Sequence, residues 1–158
     1  MPMLEVLGID HVDLTVNDLG RSITFYEKVL GALGFRRLPL DNYVAWGNAH
    51  MNIALRPPAS QERGADFNRY RVGLHHLALR AKSREHVNRF YEFLLREGLT
   101  VLDPPADYPQ YGPQYYAVFF SDPDGMKLEL VHFPWGYWRR VQTDGSDARP
   151  RYAPRTDS

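Results

Sequence analysis

Hydrophobic and polar positions along the chain follow one pattern twice. Each half opens with a short alternating segment, DHVDLTV from Asp10 and HHLALRA from His75, and such alternation is typical of a half-buried strand. An amphipathic segment with a helical period follows in each half, and three further strand-like segments come after it. These last strands are predicted at about 35–39, 42–47, 50–56, 99–103, 114–121 and 126–132. The pattern therefore predicts the order β-α-β-β-β twice.

Capping residues mark the ends of both predicted helices. Asp18 and Ser83 stand at the starts, where a side-chain oxygen can accept a hydrogen bond from a free backbone N–H group. Gly31 or Gly34 is expected to end the first helix and Gly98 the second, because glycine readily adopts the backbone conformation found there. The apolar stripe of the second helix is predicted as Val87, Phe90, Tyr91, Leu94 and Leu95.

The two halves also match residue by residue. FYEKVL and FYEFLL share four of six residues at an offset of 65, the offset that aligns His11 with His76. Modules are predicted at 5–57 and 72–133, and an aromatic and then polar C-terminal segment at 134–158. The second half alone carries DPPADYPQYG, which is predicted as an inserted loop.

Neither module is long enough to cover both faces of its own sheet, so the two are expected to pack together. We therefore predict an α+β fold, in which two paired βαβββ modules form a curved, cup-like mixed sheet with the helices on the outside.

Composition narrows the classes of function. The chain has 158 residues with 19 basic and 19 acidic side chains, so bulk electrostatics do not favour a nucleic-acid or anionic-membrane partner. Cysteine is absent, which excludes disulfides, zinc–thiolate sites and a thiol nucleophile. No apolar run approaches the roughly 20 residues that cross a bilayer. We expect a soluble cytoplasmic protein, a homodimer, that acts on a small molecule and has no nucleic-acid or membrane partner.

One acidic residue conflicts with its surroundings. Glu129 stands between Leu128 and Leu130 in the last predicted strand, where a buried carboxylate needs a compensating partner. His11 and His76 occupy matching strand positions, and in a curved sheet all three side chains can converge. Two imidazoles and a carboxylate form a ligand set for one divalent metal ion such as Fe2+, Mn2+, Ni2+ or Zn2+. The alternative is ordinary core or surface histidines beside a water-facing carboxylate.

These motifs resemble a known family. DHVDLTV, FYEKVLG, HHLAL and FFSDPDGMKLELV, spread over about residues 7–133, are similar to the vicinal oxygen chelate superfamily of glyoxalases, bleomycin-resistance proteins, fosfomycin-resistance enzymes and extradiol dioxygenases. The similarity is greatest to its small glyoxalase-like members. The resemblance implies paired βαβββ modules, within one chain or swapped between chains, and metal ligands at His11, His76 and Glu129.

Two positions depart from the best-known members. Aligning MNIAL with MKLEL places Ala54 opposite Glu129, so the second acidic ligand that resemblance to glyoxalase I implies is missing. Asn52 or His50 is a conceivable substitute. Phe119 stands where the fosfomycin-resistance and extradiol groups usually have a tyrosine, and it lacks the hydroxyl needed for acid–base work.

Further side chains are predicted to contact a substrate, with ordinary core packing as the alternative for the aromatic ones: Trp46, Asn52, Tyr108, Tyr111 and Phe119. Tyr115 is predicted as a hydroxyl donor and, with Glu129, as a catalytic residue. Arg56 and Arg80 are candidate anion anchors or, alternatively, solvated strand-end residues. The PWGYW stretch, 134–138, is expected to pack against the body of the protein or a second subunit.

The sequence thus favours a metal-dependent enzyme whose small substrate chelates the metal through adjacent oxygens. Lyase, isomerase, dioxygenase and thiol-transferase chemistry all remain open. The alternative is a non-catalytic protein that binds a small molecule or antibiotic and confers resistance by sequestration.

Overall fold

The computed structural model describes residues 6, 8–62 and 64–134. The first module contains β1 (His11–Thr15), α1 (Leu19–Ala32), β2 (Arg36–Arg37), β3 (Val44–Gly47) and β4 (Asn52–Arg56). The second contains β5 (Leu77–Arg80), α2 (Arg84–Arg96), β6 (Val101–Asp107), β7 (Tyr116–Ser121) and β8 (Lys127–His132). The α+β class and the two βαβββ modules are therefore confirmed. The predictions for the chain beyond residue 134 lie outside the described residues.

The two modules have the same strand order. Their four-stranded sheets run β1-β4-β3-β2 and β5-β8-β7-β6. In each sheet the first and last strands of the module are parallel neighbours, and the other pairs are antiparallel. The chain forms two compact units, and the first of them contains the residues up to Phe67 together with Asp122–Gly125. No helix in the described part is long and apolar enough to span a membrane.

Both predicted helix starts are confirmed. The Asp18 side chain accepts a hydrogen bond from the backbone N–H of Arg21 at 2.9 Å. The Ser83 hydroxyl accepts one from the N–H of His86 at 3.3 Å. Each helix is followed by a glycine with a positive φ, of which Gly34 at +84° is the first; a side chain there would be strained.

One face of each sheet packs against the helix of its own module. In the second module the rings of Phe90 on α2 and Phe120 on β7 lie 5.2 Å apart. The predicted apolar stripe of the second helix is confirmed at Val87 and Leu94, which are fully buried, but Leu95 is 55% exposed. The buried stripe is narrower than predicted because Leu95, one residue beyond Leu94, lies about 100° further around the helix.

The predicted loop DPPADYPQYG is partly a strand. β6 continues through Asp107, and its register against β7 shifts twice between Val101 and Ala106. Pro104 and Pro105 fall in that irregular stretch, on a strand that is the last of its sheet. Proline has no N–H to donate and is tolerated on such an edge, so its presence does not exclude a strand here.

The turn between β7 and β8 contributes acceptors to the first unit. Asp124 accepts from the backbone N–H of Asn17 at 2.8 Å and from Nη2 of Arg21 at 2.6 Å. The buried Tyr26 hydroxyl donates to Asp122 at 3.0 Å. Burial, and then the nearby Asp122 carboxylate, hold the pKa of Tyr26 well above its usual value. The first unit is therefore completed by four residues from far along the chain.

Candidate metal-binding site

The Glu129 side chain is the centre of a polar group in the second unit. It is 1% exposed and lies in β8 between Ala78 of β5 and Phe119 of β7 in the sheet register. Its Oε2 is 3.1 Å from Nε2 of His76, and its Oε1 accepts a hydrogen bond from the Tyr115 hydroxyl at 2.6 Å. Both oxygens of this buried carboxylate thus have a defined partner.

The His76–Glu129 pair fits two neighbouring ligands of one metal ion. Nitrogen and oxygen ligands bind such ions at about 2.0–2.2 Å, so two ligand atoms at right angles are about 3 Å apart. The separation between His76 Nε2 and Glu129 Oε2 is 3.1 Å. A divalent ion would also compensate the buried carboxylate, which is costly to leave uncompensated. The donor atoms and their spacing therefore suit a metal.

A connected group of aromatic rings lies beside this pair. Tyr108 lies 6.0 Å from Tyr111 and 5.2 Å from Phe119, measured between ring centroids. Tyr111 is 5.3 Å from Tyr115, and His76 is 6.5 Å from Phe119. We refer to Tyr108, Tyr111, Tyr115 and Phe119 as the aromatic group. The structure thus brings together four predicted substrate-site or catalytic residues, and a substrate contact remains a prediction for each.

The third predicted ligand lies in the first unit. His11 is at the start of β1, and its cross-strand neighbour is Asn52 of β4, another predicted substrate-site residue. The Nδ1 atom of His11 is 2.8 Å from Oδ1 of Asp10, and this hydrogen bond raises the pKa of His11. Within residues 8–62 and 64–134, no cluster of three or more histidine or acidic side chains is close enough to hold a metal. The complete ligand set therefore stays a prediction.

His76 also has a close neighbour at Nδ1. The Nδ1 atoms of His75 and His76 are 2.8 Å apart, and their rings meet edge to face at 5.0 Å. Desolvation, and then electrostatic repulsion from the His76 ring, lower the pKa of His75. A neutral imidazole can either donate or accept at Nδ1.

The first module carries its own carboxylate on a different strand. Ala54 of β4 pairs with Asp13 of β1, whereas Glu129 of β8 pairs with Ala78 of β5. Asp13 accepts hydrogen bonds from the Tyr43 hydroxyl and from Nε of Arg56. The Tyr43 bond, followed by the Arg56 bond, lowers the pKa of Asp13. The acid therefore lies on the first strand of the first module but on the last strand of the second module, and an alanine occupies the paired position in each.

The predicted position of Trp46 is wrong. Its side chain is 1% exposed, lies 6.4 Å from the ring of Tyr26 on α1 and donates from Nε1 to Glu27 at 2.8 Å. It therefore lies on the helix-packed face of β3. Ala45 lies on the other face, in register with Ala54 and Asp13. Trp46 is a core residue of the first module.

The two candidate anion anchors make internal contacts. Arg56 binds Asp13 and stacks over Tyr43, with its guanidinium carbon 4.7 Å from the ring centroid. Arg80 donates from Nη1 to the carbonyl of Phe133 at 2.6 Å. Both arginines therefore stabilise the ends of strands, in agreement with the alternative interpretation of the sequence.

Sequence reasoning missed Asp10, His75 and Asp13. The first two directly precede the matched histidines, so a comparison of DH with HH in the two repeats would have identified them. Asp13 shares strand parity with His11 and was visible in the same way. No such signal in the sequence indicated Tyr43 as the partner of Asp13, because the two residues are 30 positions apart along the chain.

Replacing Tyr115 with phenylalanine should weaken divalent-metal binding by about 10–100-fold, the usual cost of losing a group that orients a ligand. The variant keeps the ring but leaves Glu129 Oε1 without its donor. Tyr116→Phe is a matched control, because that hydroxyl donates to Asn88 instead. Titration with Zn2+ and Mn2+ measures both variants, and equal affinities would contradict an orienting role.

Comparison with known proteins gives a consistent result. The family model described as the Glyoxalase/Bleomycin resistance protein/Dioxygenase superfamily matches residues 8–130. The uncharacterized protein YqjT of Bacillus subtilis is 32% identical over 77% of this chain and 95% of its own length. A metallothiol transferase FosB of Shouchella clausii is 26% identical, with 79% and 80% covered. A glyoxylase/bleomycin resistance protein/dioxygenase domain from Frankia shares the fold, with a TM-score of 0.67, 24% identity, and 82% and 100% coverage.

Proposed function

Since the chain belongs to the Glyoxalase/Bleomycin resistance protein/Dioxygenase superfamily, we propose that it is a metal-dependent enzyme acting on a small substrate. The substrate would bind the metal through two adjacent oxygen atoms. His11, His76 and Glu129 would hold one divalent ion, with Fe2+, Mn2+, Ni2+ and Zn2+ as candidates. The proposal covers lyase, isomerase, dioxygenase and thiol-transferase chemistry.

The buried Glu129 carboxylate carries the proposal. A carboxylate that is 1% exposed and 3.1 Å from an imidazole nitrogen is costly to maintain for stability alone, since a well-packed apolar pair would serve a core as well. A role in binding a cation explains why an acid stands between two leucines. The metallothiol transferase relative, whose name states a metal, supports the same interpretation.

The chain's own residues have distinct roles in this proposal. A bound divalent ion supplies Lewis acidity that stabilises an oxyanion or enolate as it develops. Tyr115 keeps its proton, because burial and then the Glu129 hydrogen bond raise its pKa far above the usual value. It therefore orients the carboxylate and does not act as a base. The aromatic group offers apolar surface that keeps water from a small ligand.

His11 belongs to one unit, and His76 and Glu129 to the other. The full ligand set requires the first unit to meet the second, either within one chain or between the two chains of a homodimer. We include the homodimer in the proposal.

Metal analysis and a bidentate probe test the proposal. Protein purified without chelators should contain close to one divalent ion per ligand set, and the loaded protein should bind acetohydroxamate, which chelates through two adjacent oxygens. Acetamide, which lacks the second oxygen, is the matched control and should bind far more weakly. Protein that takes up no divalent metal even when it is supplied in excess would overturn the proposal.

The rival function is sequestration of a small molecule without catalysis. The aromatic group favours it, because stacked rings bind planar ligands by themselves. Binding of an aromatic ligand that is equally tight with and without metal would support the rival. A requirement for metal would support the enzyme.

Three familiar activities are expected to be negligible. Ala54 supplies no fourth ligand, and Phe119 supplies no hydroxyl. We therefore expect negligible turnover of the methylglyoxal–glutathione hemithioacetal, of catechols and of fosfomycin by the metal-loaded protein. Robust turnover of the hemithioacetal would show that a fourth ligand exists outside position 54.

A further inference from the structure

We propose that Asp10 and His75 are positioning residues for the metal, a role that rests on the proposed function above. Each directly precedes a predicted histidine ligand and contacts that histidine at Nδ1. The contact would leave Nε2 of His11 and His76 as the atom that binds the ion. The two modules would then share an orienting arrangement as well as a ligand.

The first module shows the simpler case. The Oδ1 atom of Asp10 is 2.8 Å from Nδ1 of His11. A carboxylate only accepts hydrogen bonds, so the imidazole proton must sit on Nδ1. A neutral imidazole has one proton and one lone pair, and the lone pair is then on Nε2. Asp10 thus prepares His11 to bind a metal through Nε2.

The second module uses an imidazole as the partner instead. The Nδ1 atoms of His75 and His76 are 2.8 Å apart, so one of them donates and the other accepts. The Nε2 atom of His76 lies 3.1 Å from Oε2 of Glu129, and a His76 that carries its single proton on Nε2 would accept at Nδ1 from His75. With a metal at Nε2, His76 would hold its proton on Nδ1 and donate to His75, whose own proton would move from Nδ1 to Nε2. Unlike an acid, His75 permits both states.

Hydrogen-bond partners at Nδ1 of a ligating histidine generally affect the metal affinity of the site. A ligating histidine that donates its second N–H to a neighbour is held at a fixed ring angle and in one tautomer, and losing the neighbour typically costs about 10–100-fold in metal affinity. Asp10 is 89% exposed at its side chain, so its replacement should not disturb the fold. A change in metal affinity would therefore come from a change in the orientation or tautomer of His11.

The experiment combines Zn2+ affinity with nitrogen NMR on the full chain. We expect Asp10→Ala and His75→Ala to bind Zn2+ about 10–100-fold more weakly than the unmodified protein. Asp10→Asn keeps an acceptor oxygen and should recover most of the affinity. Asp41→Ala, an exposed acid in the turn before β3, is the matched control. Long-range nitrogen–proton spectra should show His11 protonated at Nδ1 without zinc, and His76 moving its proton from Nε2 to Nδ1 when zinc binds.

The possible failures are distinguishable. If the unmodified protein binds Zn2+ and both alanine variants match the Asp41→Ala control, this inference is wrong and the metal site stands. A zinc-free His11 protonated at Nε2 would also overturn it. If the unmodified protein binds no Zn2+ or other divalent ion, the proposed function fails and the positioning role fails with it.

Discussion

Replacing Glu129 with glutamine is expected to abolish stoichiometric metal binding and leave the metal-free fold intact. Glutamine keeps the shape and an oxygen that can accept from Tyr115, but it removes the charge that attracts a cation. The loss should exceed the roughly 100-fold upper range for residues that only orient a ligand. Adding metal at 100 times its Kd should stabilise the unmodified protein by about 2.7 kcal/mol and should not stabilise the variant.

Parallel variants show whether the three residues act as one ligand set. His11→Ala and His76→Ala should lose metal to a similar extent, and Glu92→Gln on the exposed side of α2 should lose none. Metal content and thermal shift measure each variant. Full metal occupancy in Glu129→Gln, with loss in both histidine variants, would mean that the carboxylate is not a ligand.

Mixing two inactive variants determines whether the ligands come from one chain or two. A dimer of His11→Ala with Glu129→Gln regains one intact set only if His11 of one chain meets Glu129 of the other. Recovered metal after refolding the mixture would establish exchange between chains, and no recovery would establish pairing within a chain.

Replacing Trp46 with alanine should cost about 3–5 kcal/mol of unfolding free energy, the usual range for removing a buried tryptophan. Domains have about 5–15 kcal/mol in total, so the denaturation midpoint should fall steeply. The side chain fills space against Tyr26 and donates to Glu27. Chemical denaturation measures the loss.

Trp46→Phe is the matched variant, because it keeps an aromatic ring and removes only the Nε1 donor. It should lose far less stability than Trp46→Ala. A small stability change in both variants, together with lost acetohydroxamate binding, would restore the view that Trp46 contacts a substrate.

The sequence alone predicted the α+β class and the element order of both modules, and it selected His76 and Glu129, which the structure brings together. The offset that aligned His11 with His76 reported a duplicated supersecondary unit, and such a unit has few possible topologies. Parity along a single strand placed Glu129 on the face opposite to Leu128 and Leu130, and the structure brings it to His76. These inferences needed only local periodicity.

The errors came from pairing between strands. A shift of one residue in strand register moves every side chain to the other face of a sheet. The segment VAWG does not indicate whether Ala45 or Trp46 aligns with Ala54. Strand parity alone was the basis for predicting that Trp46 contacts a substrate, and its partners in the structure are on α1.

The turn Asp122–Gly125 limits how far the two halves can be separated. The first unit includes this turn, so a half-length chain ending near residue 67 would lack the acceptors for Tyr26, Arg21 and Asn17. A buried tyrosine hydroxyl without an acceptor costs about 1–3 kcal/mol, a large part of the stability of so small a domain. The first half is thus no longer autonomous, and a split gene would yield a fully hydrogen-bonded first half only when the second fragment is supplied with it.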